Sequence, residues 1–173
     1  MADAPQHLVL KESRDSGHLV ELWIRRGLMA TFVLLALLAL VNVFGQRPVT
    51  TTAGGGEATL EVVAPSTLRG GVYFMGRFTI SADEELEHAT LVLDPGWFES
   101  MHVNSIQPAP VEELGRDGRV ALGFGRIAAG ETATVYMEFQ VNPTNVGTRS
   151  QDVELRDGDA LVARAERVVT ILP

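Results

Sequence analysis

The chain contains no cysteine, so no disulfide, thiolate metal site or cysteine nucleophile can form. That absence suits either side of a membrane. Lysine is scarce as well. Beyond Arg47 there is none, and that part carries nine arginines against eighteen aspartates and glutamates. An acidic surface of this kind repels nucleic-acid phosphates and argues against a nucleic-acid binder. It favours solubility, and divalent cations or basic partners, although a solvated acidic face is the ordinary reading. Catalytic signatures are missing too. There is no Gly-x-Ser-x-Gly elbow and no His-Glu-x-x-His. The Gly54–Gly56 triplet is followed by no Lys-Ser/Thr, so it is not a phosphate loop. The expectation is a non-enzyme without a cofactor.

Charge is absent altogether from Gly27 to Gln46. Twenty such residues span roughly 30 Å as a helix, the thickness of a bilayer's hydrocarbon core. A membrane-spanning helix is therefore expected within residues 21–46, with Trp23 and Phe44 as interfacial anchors. Lys11, Arg14, Arg25 and Arg26 precede the apolar run, whereas Arg47 alone follows closely. The positive-inside rule then makes residues 1–20 a cytoplasmic tail and places the C-terminal part outside the membrane. A cleaved signal peptide is the competing reading. The apolar run is long for one, and Thr51-Thr52-Ala53 is a poor cleavage site. Ser16 is a candidate cap for a helix starting at Gly17. Asn42, the one strongly polar side chain of the run, is a candidate helix–helix contact, with interfacial water as its commoner partner.

Residues 47–57, with Pro48, three threonines and the glycine triplet, read as a short linker that keeps the following domain near the bilayer. From residue 58 to 173 the period becomes two. Leu60 and Val62, then Val72, Phe74, Phe78 and Ile80, then Ala89, Leu91 and Leu93 alternate with polar neighbours. Val120, Leu122 and Phe124 follow, then Ala133 to Val141, Val153 and Leu155, and a last run from Leu161 to Leu172. These are half-buried strands. Asp94-Pro95-Gly96, Asp117-Gly118, Ala129-Gly130, Asn142-Pro143 and Asp157-Gly158 supply the turns. Seven or eight antiparallel strands without an amphipathic helix predict an all-β sandwich.

Several features occur in a characteristic order. Pro65 is followed by Arg69-Gly70-Gly71, then Leu91-Val-Leu-Asp-Pro-Gly-Trp97 and Gln107-Pro108. Next, Phe124-Gly-Arg-Ile-Ala-Ala-Gly-Glu131 runs straight into Thr132-Ala-Thr-Val-Tyr-Met137. Over about 110 residues this resembles the bacterial immunoglobulin-like domains of cell-surface proteins, of the cell-adhesion-related and conserved-repeat kinds. The resemblance implies an immunoglobulin-like sandwich and no particular ligand. Ser81-Ala82-Asp83 departs from the Asn common there, and one copy is present where those domains often occur in tandem.

Trp97, Phe98, Met101 and His102 form the candidate partner or ligand surface. Two adjacent aromatics on a strand cannot both face the core, so one is expected outside. The ordinary alternative is a tryptophan plugging the end of the sandwich. The acidic stretch Asp83–Glu87 is a candidate calcium loop or simply a hairpin tip, and Asp157-Gly158-Asp159 has the same two readings. His88 and His102 would bind a metal only if they met on adjacent strands; lone surface histidines are commoner. The expected function is a non-catalytic, membrane-anchored accessory or interaction subunit whose partners are the bilayer and a membrane-protein or envelope component. The alternative is an extracytoplasmic module binding cell-wall glycan or calcium.

Overall fold

The computed structural model describes residues 14–41, 43, 46–116 and 118–173. The chain divides into two compact units, residues 1–45 and 46–173.

In the first unit, α1 runs from Arg14 to Leu40. It begins two residues before Ser16, so that serine is not its cap. Leu19–Leu40, 22 residues, is long and apolar enough to cross a membrane or to serve as a signal sequence. Its large apolar side chains are exposed all round, including Trp23, Phe32 and Leu40. The Arg26 guanidinium lies 5.8 Å from the Trp23 ring centroid, a cation–π pair at the charged end of the apolar run. The helix stops at Leu40, short of the expected Gln46. The Val41 N–H still reaches Leu37 O, but that of Val43 reaches Leu38 O, one residue out of helical register.

The second unit is built from strands: β1 (Pro48–Gly54), β2 (Ala58–Pro65), β3 (Thr67–Arg69), β4 (Tyr73–Ala82), β5 (Leu86–Leu93), β6 (Met101–Gln107), β7 (Glu112–Arg116), β8 (Arg119–Ile127), β9 (Thr132–Val141), β10 (Gly147–Ser150), β11 (Val153–Asp157), β12 (Ala160–Ala165) and β13 (Val168–Leu172). A 3₁₀ turn at Pro95–Trp97 joins β5 to β6. One five-stranded antiparallel sheet has the order β1-β2-β4-β9-β6, and a second has the order β12-β11-β5-β8-β7. A third sheet, β10-β13-β3, pairs β13 with β3 in parallel and β10 with β13 antiparallel. All three contribute to one hydrophobic core centred on Phe78, Phe139 and Trp97.

The alternation in the sequence is the alternation of burial. β4 reads exposed and buried in turn from Tyr73 to Phe78, and β9 does the same from Val135 to Phe139. The expected Asp157-Gly158 hairpin joins β11 to β12 through Gly158 and Asp159, with Gly158 at φ 56°, where only glycine sits without strain. Three expectations need correction. Among the described residues, thirteen strands in three sheets, with β3 and β13 parallel, replace the seven or eight antiparallel strands expected, because short edge strands carry no apolar alternation. The linker at 47–57 contains β1, which pairs residue for residue with β2 from Pro48↔Pro65 to Gly54↔Thr59. Its threonines suit an edge strand and need no apolar alternation. The run from Leu161 to Leu172 is two strands, interrupted at Glu166-Arg167.

Candidate functional site

The four residues of the expected surface lie where β5 hands over to β6, and the structure separates them. Trp97 N–H bonds to Asp94 O at 3.1 Å and Phe98 N–H to Pro95 O at 2.9 Å, closing the 3₁₀ turn. The turn aims Trp97 inward. Its ring is fully buried, 5.2 Å from Phe78 and 5.3 Å from Phe139 between centroids. The indole N–H donates to Gln151 O at 3.0 Å, satisfying its polar edge. Gly96 makes this possible, because a Cβ there would lie 2.0 Å from Ser150 O. Met101 is buried, and Phe98 is half-buried against the core. Only His102 is exposed. Strand geometry at 97–98 would point one of the two rings outward; the 3₁₀ turn found there lets both turn toward the core. Asn42 lies outside the described residues.

The acidic stretch is tied up locally. The N–H groups of Asp83 and Glu84 both donate to Glu57 O, at 2.9 and 2.8 Å. Glu85 accepts two bonds from Arg126, at 2.8 and 2.7 Å, and this guanidinium holds its carboxyl below the usual range. The Asp157 carboxylate accepts the N–H groups of Glu87 and His88, binding the β11–β12 hairpin to this loop. Among the described residues no group of three or more His, Asp or Glu is placed to hold a metal ion. His88 and His102 sit on strands of different sheets.

The structure also reveals buried polar residues that the alternation did not signal. Gln151-Asp152 interrupts β10 and β11 opposite the Glu166-Arg167 break. Gln151 N–H donates to Arg167 O, and Arg167 N–H to Asp152 Oδ1, both at 2.9 Å. The Arg167 guanidinium then turns into the fold. Nη1 donates to Val49 O, Thr51 Oγ1 and Val62 O at 3.1, 2.9 and 3.3 Å, and Nη2 to Ala64 O at 2.8 Å. Burial pushes its pKa down, and among the described residues no carboxylate lies within ion-pairing distance. It therefore stitches β1 and β2 to the β12–β13 break through neutral acceptors. On the other face of β11, Glu154 binds Arg119 at 3.0 Å and Arg156 at 2.9 Å, while Asp152 binds Arg164 at 2.8 Å. Burial alone would raise both carboxyls. The hydrogen bonds from Arg119 and Arg156, and from Arg164 and the Arg167 backbone, outweigh it and hold them low.

Among the described residues, two further regions bear on function. On the outer face of the β1-β2-β4-β9-β6 sheet, Tyr73, Met75 and Tyr136 are 63%, 53% and 42% exposed. Tyr73 stands opposite Gln140, Met75 opposite Glu138 and Tyr136 opposite Arg77, so polar side chains are interleaved with them on this face, and His102↔Gln140 adds the exposed histidine to it. The signal for this patch was present in the sequence as tyrosines in the polar register of strands. The second region is a groove of about 600 Å³ where the crossing at residues 108–111 meets β8 and the start of β9, lined largely by apolar side chains including Phe124 and Val135. Compared with known proteins, the chain matches no protein-family model and no curated protein.

Proposed function

We propose that the chain is a non-catalytic accessory or interaction subunit, anchored by α1 with its N-terminus in the cytoplasm, whose β domain contacts a membrane-protein or envelope partner outside the membrane. The observation that carries this reading is the Tyr73–Met75–Tyr136 patch. Three large exposed side chains share one outer sheet face, interleaved with Arg77, Glu138 and Gln140, and tyrosine is enriched at protein contacts.

The domain is read as a bacterial immunoglobulin-like sandwich. Strand order supports this. Labelling β2, β4, β5, β6, β9, β11 and β12 as A to G gives A-B-E-D in one sheet and G-F-C in the other, the order of the constant-type arrangement, with β1 added beside A, β8 and β7 added beside C, and β3, β10 and β13 in a third sheet outside it. The glycan- or calcium-binding alternative loses its aromatic motive, because Trp97 is in the core.

The test is purification of the full chain in mild detergent, wild type beside a Tyr73→Ser, Met75→Ser, Tyr136→Ser triple variant. The wild type is expected to co-elute with a stoichiometric partner that the variant loses, with its melting temperature unchanged. Isolation of the wild type as a lone monomer overturns the proposal.

A further inference from the structure

We infer that Met75 is an oxidation switch for the tyrosine patch: a peroxide converts its thioether to the sulfoxide, and the sulfoxide releases the partner. The inference rests on the reading of that patch as a docking surface. The chain has five methionines and no cysteine, so no thiol of its own competes for an oxidant. Met1 lies outside the described residues, and Met29 lies in the apolar run of α1. Three remain in the β domain. Met137 is fully buried opposite Gly76, and Met101, at the start of β6, is 7% exposed. Met75 alone of the three is open, at 53%. A sulfur packed in the core meets peroxide only when the fold opens, whereas one at the surface meets it directly. Met75 stands two residues from Tyr73 and two from Arg77 along β4, and opposite Glu138 on β9. The one open sulfur of the domain thus lies inside the surface that the partner would cover.

The chemistry is a two-electron oxygen transfer. A sulfur lone pair attacks one oxygen of hydrogen peroxide, an S–O bond forms and the O–O bond breaks. The departing hydroxide takes the proton of the transferred hydroxyl and leaves as water. Sulfur is oxidised by two electrons and the peroxide is reduced. No side chain has to assist, so exposure decides which sulfur reacts. Methionine meets a partner as a flexible apolar side chain, but the sulfoxide carries a polar oxygen that needs water or a donor. The patch supplies no ready donor. Glu138, directly opposite, is a carboxylate and offers acceptors only, and Arg77 is drawn across to Glu61 at 3.0 Å. A partner closing over the oxidised patch therefore buries an unpaired acceptor, which weakens binding. Conversely, a bound partner covers the sulfur, so binding and oxidation oppose one another.

The full chain, immobilised in mild detergent and washed free of partner, is treated with hydrogen peroxide and cleared with catalase. It is then offered detergent-solubilised membranes from untreated cells, so the partner itself never meets the oxidant. Peptide mass spectrometry follows each methionine. Met75 is expected to oxidise at least about tenfold faster than Met101 and Met137. Capture of the stoichiometric partner is expected to fall at least about fivefold in step with the Met75 sulfoxide, and to return when methionine sulfoxide reductases and a dithiol reduce it. Met29→Leu removes the exposed methionine of α1 and is expected to respond to peroxide as the wild type does. Met75→Gln, polar at similar length, is expected to capture little partner before any oxidant, at an unchanged melting temperature. Oxidation of Met101 or Met137 as fast as Met75, full capture by chain oxidised at Met75, or a Met29→Leu chain indifferent to peroxide overturns the proposal. Untreated wild type that captures no partner refutes the docking surface and the switch with it. A switch that fails while untreated chain still captures its partner leaves the docking surface standing.

Discussion

Arg167 is the residue whose replacement tests the account of the fold most sharply. Methionine has similar length but no donors, so Arg167→Met strips the hydrogen bonds from Val49 O, Thr51 Oγ1, Val62 O and Ala64 O. The first two acceptors belong to β1, an edge strand that is largely exposed, and can turn to water. Val62 and Ala64 are fully buried, and each carbonyl left without its donor costs about 1–3 kcal/mol. Removing a desolvated cation returns part of that loss. A net destabilisation of about 2 kcal/mol is expected, which for a domain of this size lowers the melting temperature by roughly 6–10 °C. The loss should be local first. β1 has little apolar burial of its own and depends on its ladder with β2 and on this clip. Hydrogen–deuterium exchange of the Thr50–Gly54 amides should accelerate well before global unfolding. Arg167→Lys separates charge from geometry. An ammonium keeps the charge but cannot span acceptors on two strands, so lysine should do no better than methionine. Rescue by lysine, or unchanged exchange in β1 with methionine, refutes the reasoning.

Trp97→Phe keeps an aromatic ring against Phe78 and Phe139 but leaves Gln151 O without the indole donor; a loss of about 1–3 kcal/mol in urea denaturation is expected, and an unchanged midpoint would show that this bond contributes nothing. The Asp152 and Glu154 carboxyls are held below their ordinary range in the folded state, so the unfolded chain binds more protons as the solution is acidified. Their contribution to stability is present above about pH 4–5 and is lost as pH falls through the folded values, visible as a falling melting temperature. Arg119→Gln should flatten that fall, and an identical acid profile in the variant would contradict the assignment.

Alternation in the sequence marks the central strands because their two faces meet different media. β2, β4 and β9 each set one face on the core, and their apolar residues recur at period two. Where that contrast fails, so does legibility. β1 is exposed along most of its length, and its threonines look like a linker. β6 begins with Met101 and Val103 on one side, but the register shift between Val103 and Ser105 carries the next apolar residue to Ile106, breaking the period. β7, Glu112–Arg116, is an edge strand whose Glu112, Glu113 and Leu114 are all exposed, so it shows no alternation of burial. At the candidate site the tyrosine patch was readable, because Tyr73 and Tyr136 occupy positions where polar residues are expected. The fate of Trp97 was not, because adjacency says which way two side chains point only inside a strand. Nor was Arg167: within Ala-Arg-Ala-Glu-Arg-Val-Val it has the profile of a solvent-facing residue.

The two sides of the β domain solve the same problem differently. Wherever two sheets share a core, the space between their edge strands must be filled by side chains, crossed by the chain or left to water. On one side β12 lies against β1 and β2, and Arg167 closes the seam with hydrogen bonds. A guanidinium suits that position because the seam is lined by carbonyl oxygens, which an apolar side chain would leave unpaired. On the other side, where the crossing at residues 108–111 meets β8 and β9, the lining is largely apolar. Alanines stand at 109 and 133, where larger side chains would remove more apolar surface from water at about 25 cal/mol per Å². Stability alone would favour filling that cleft, since Val135 and Ile127 already form a floor for leucine or isoleucine to pack on.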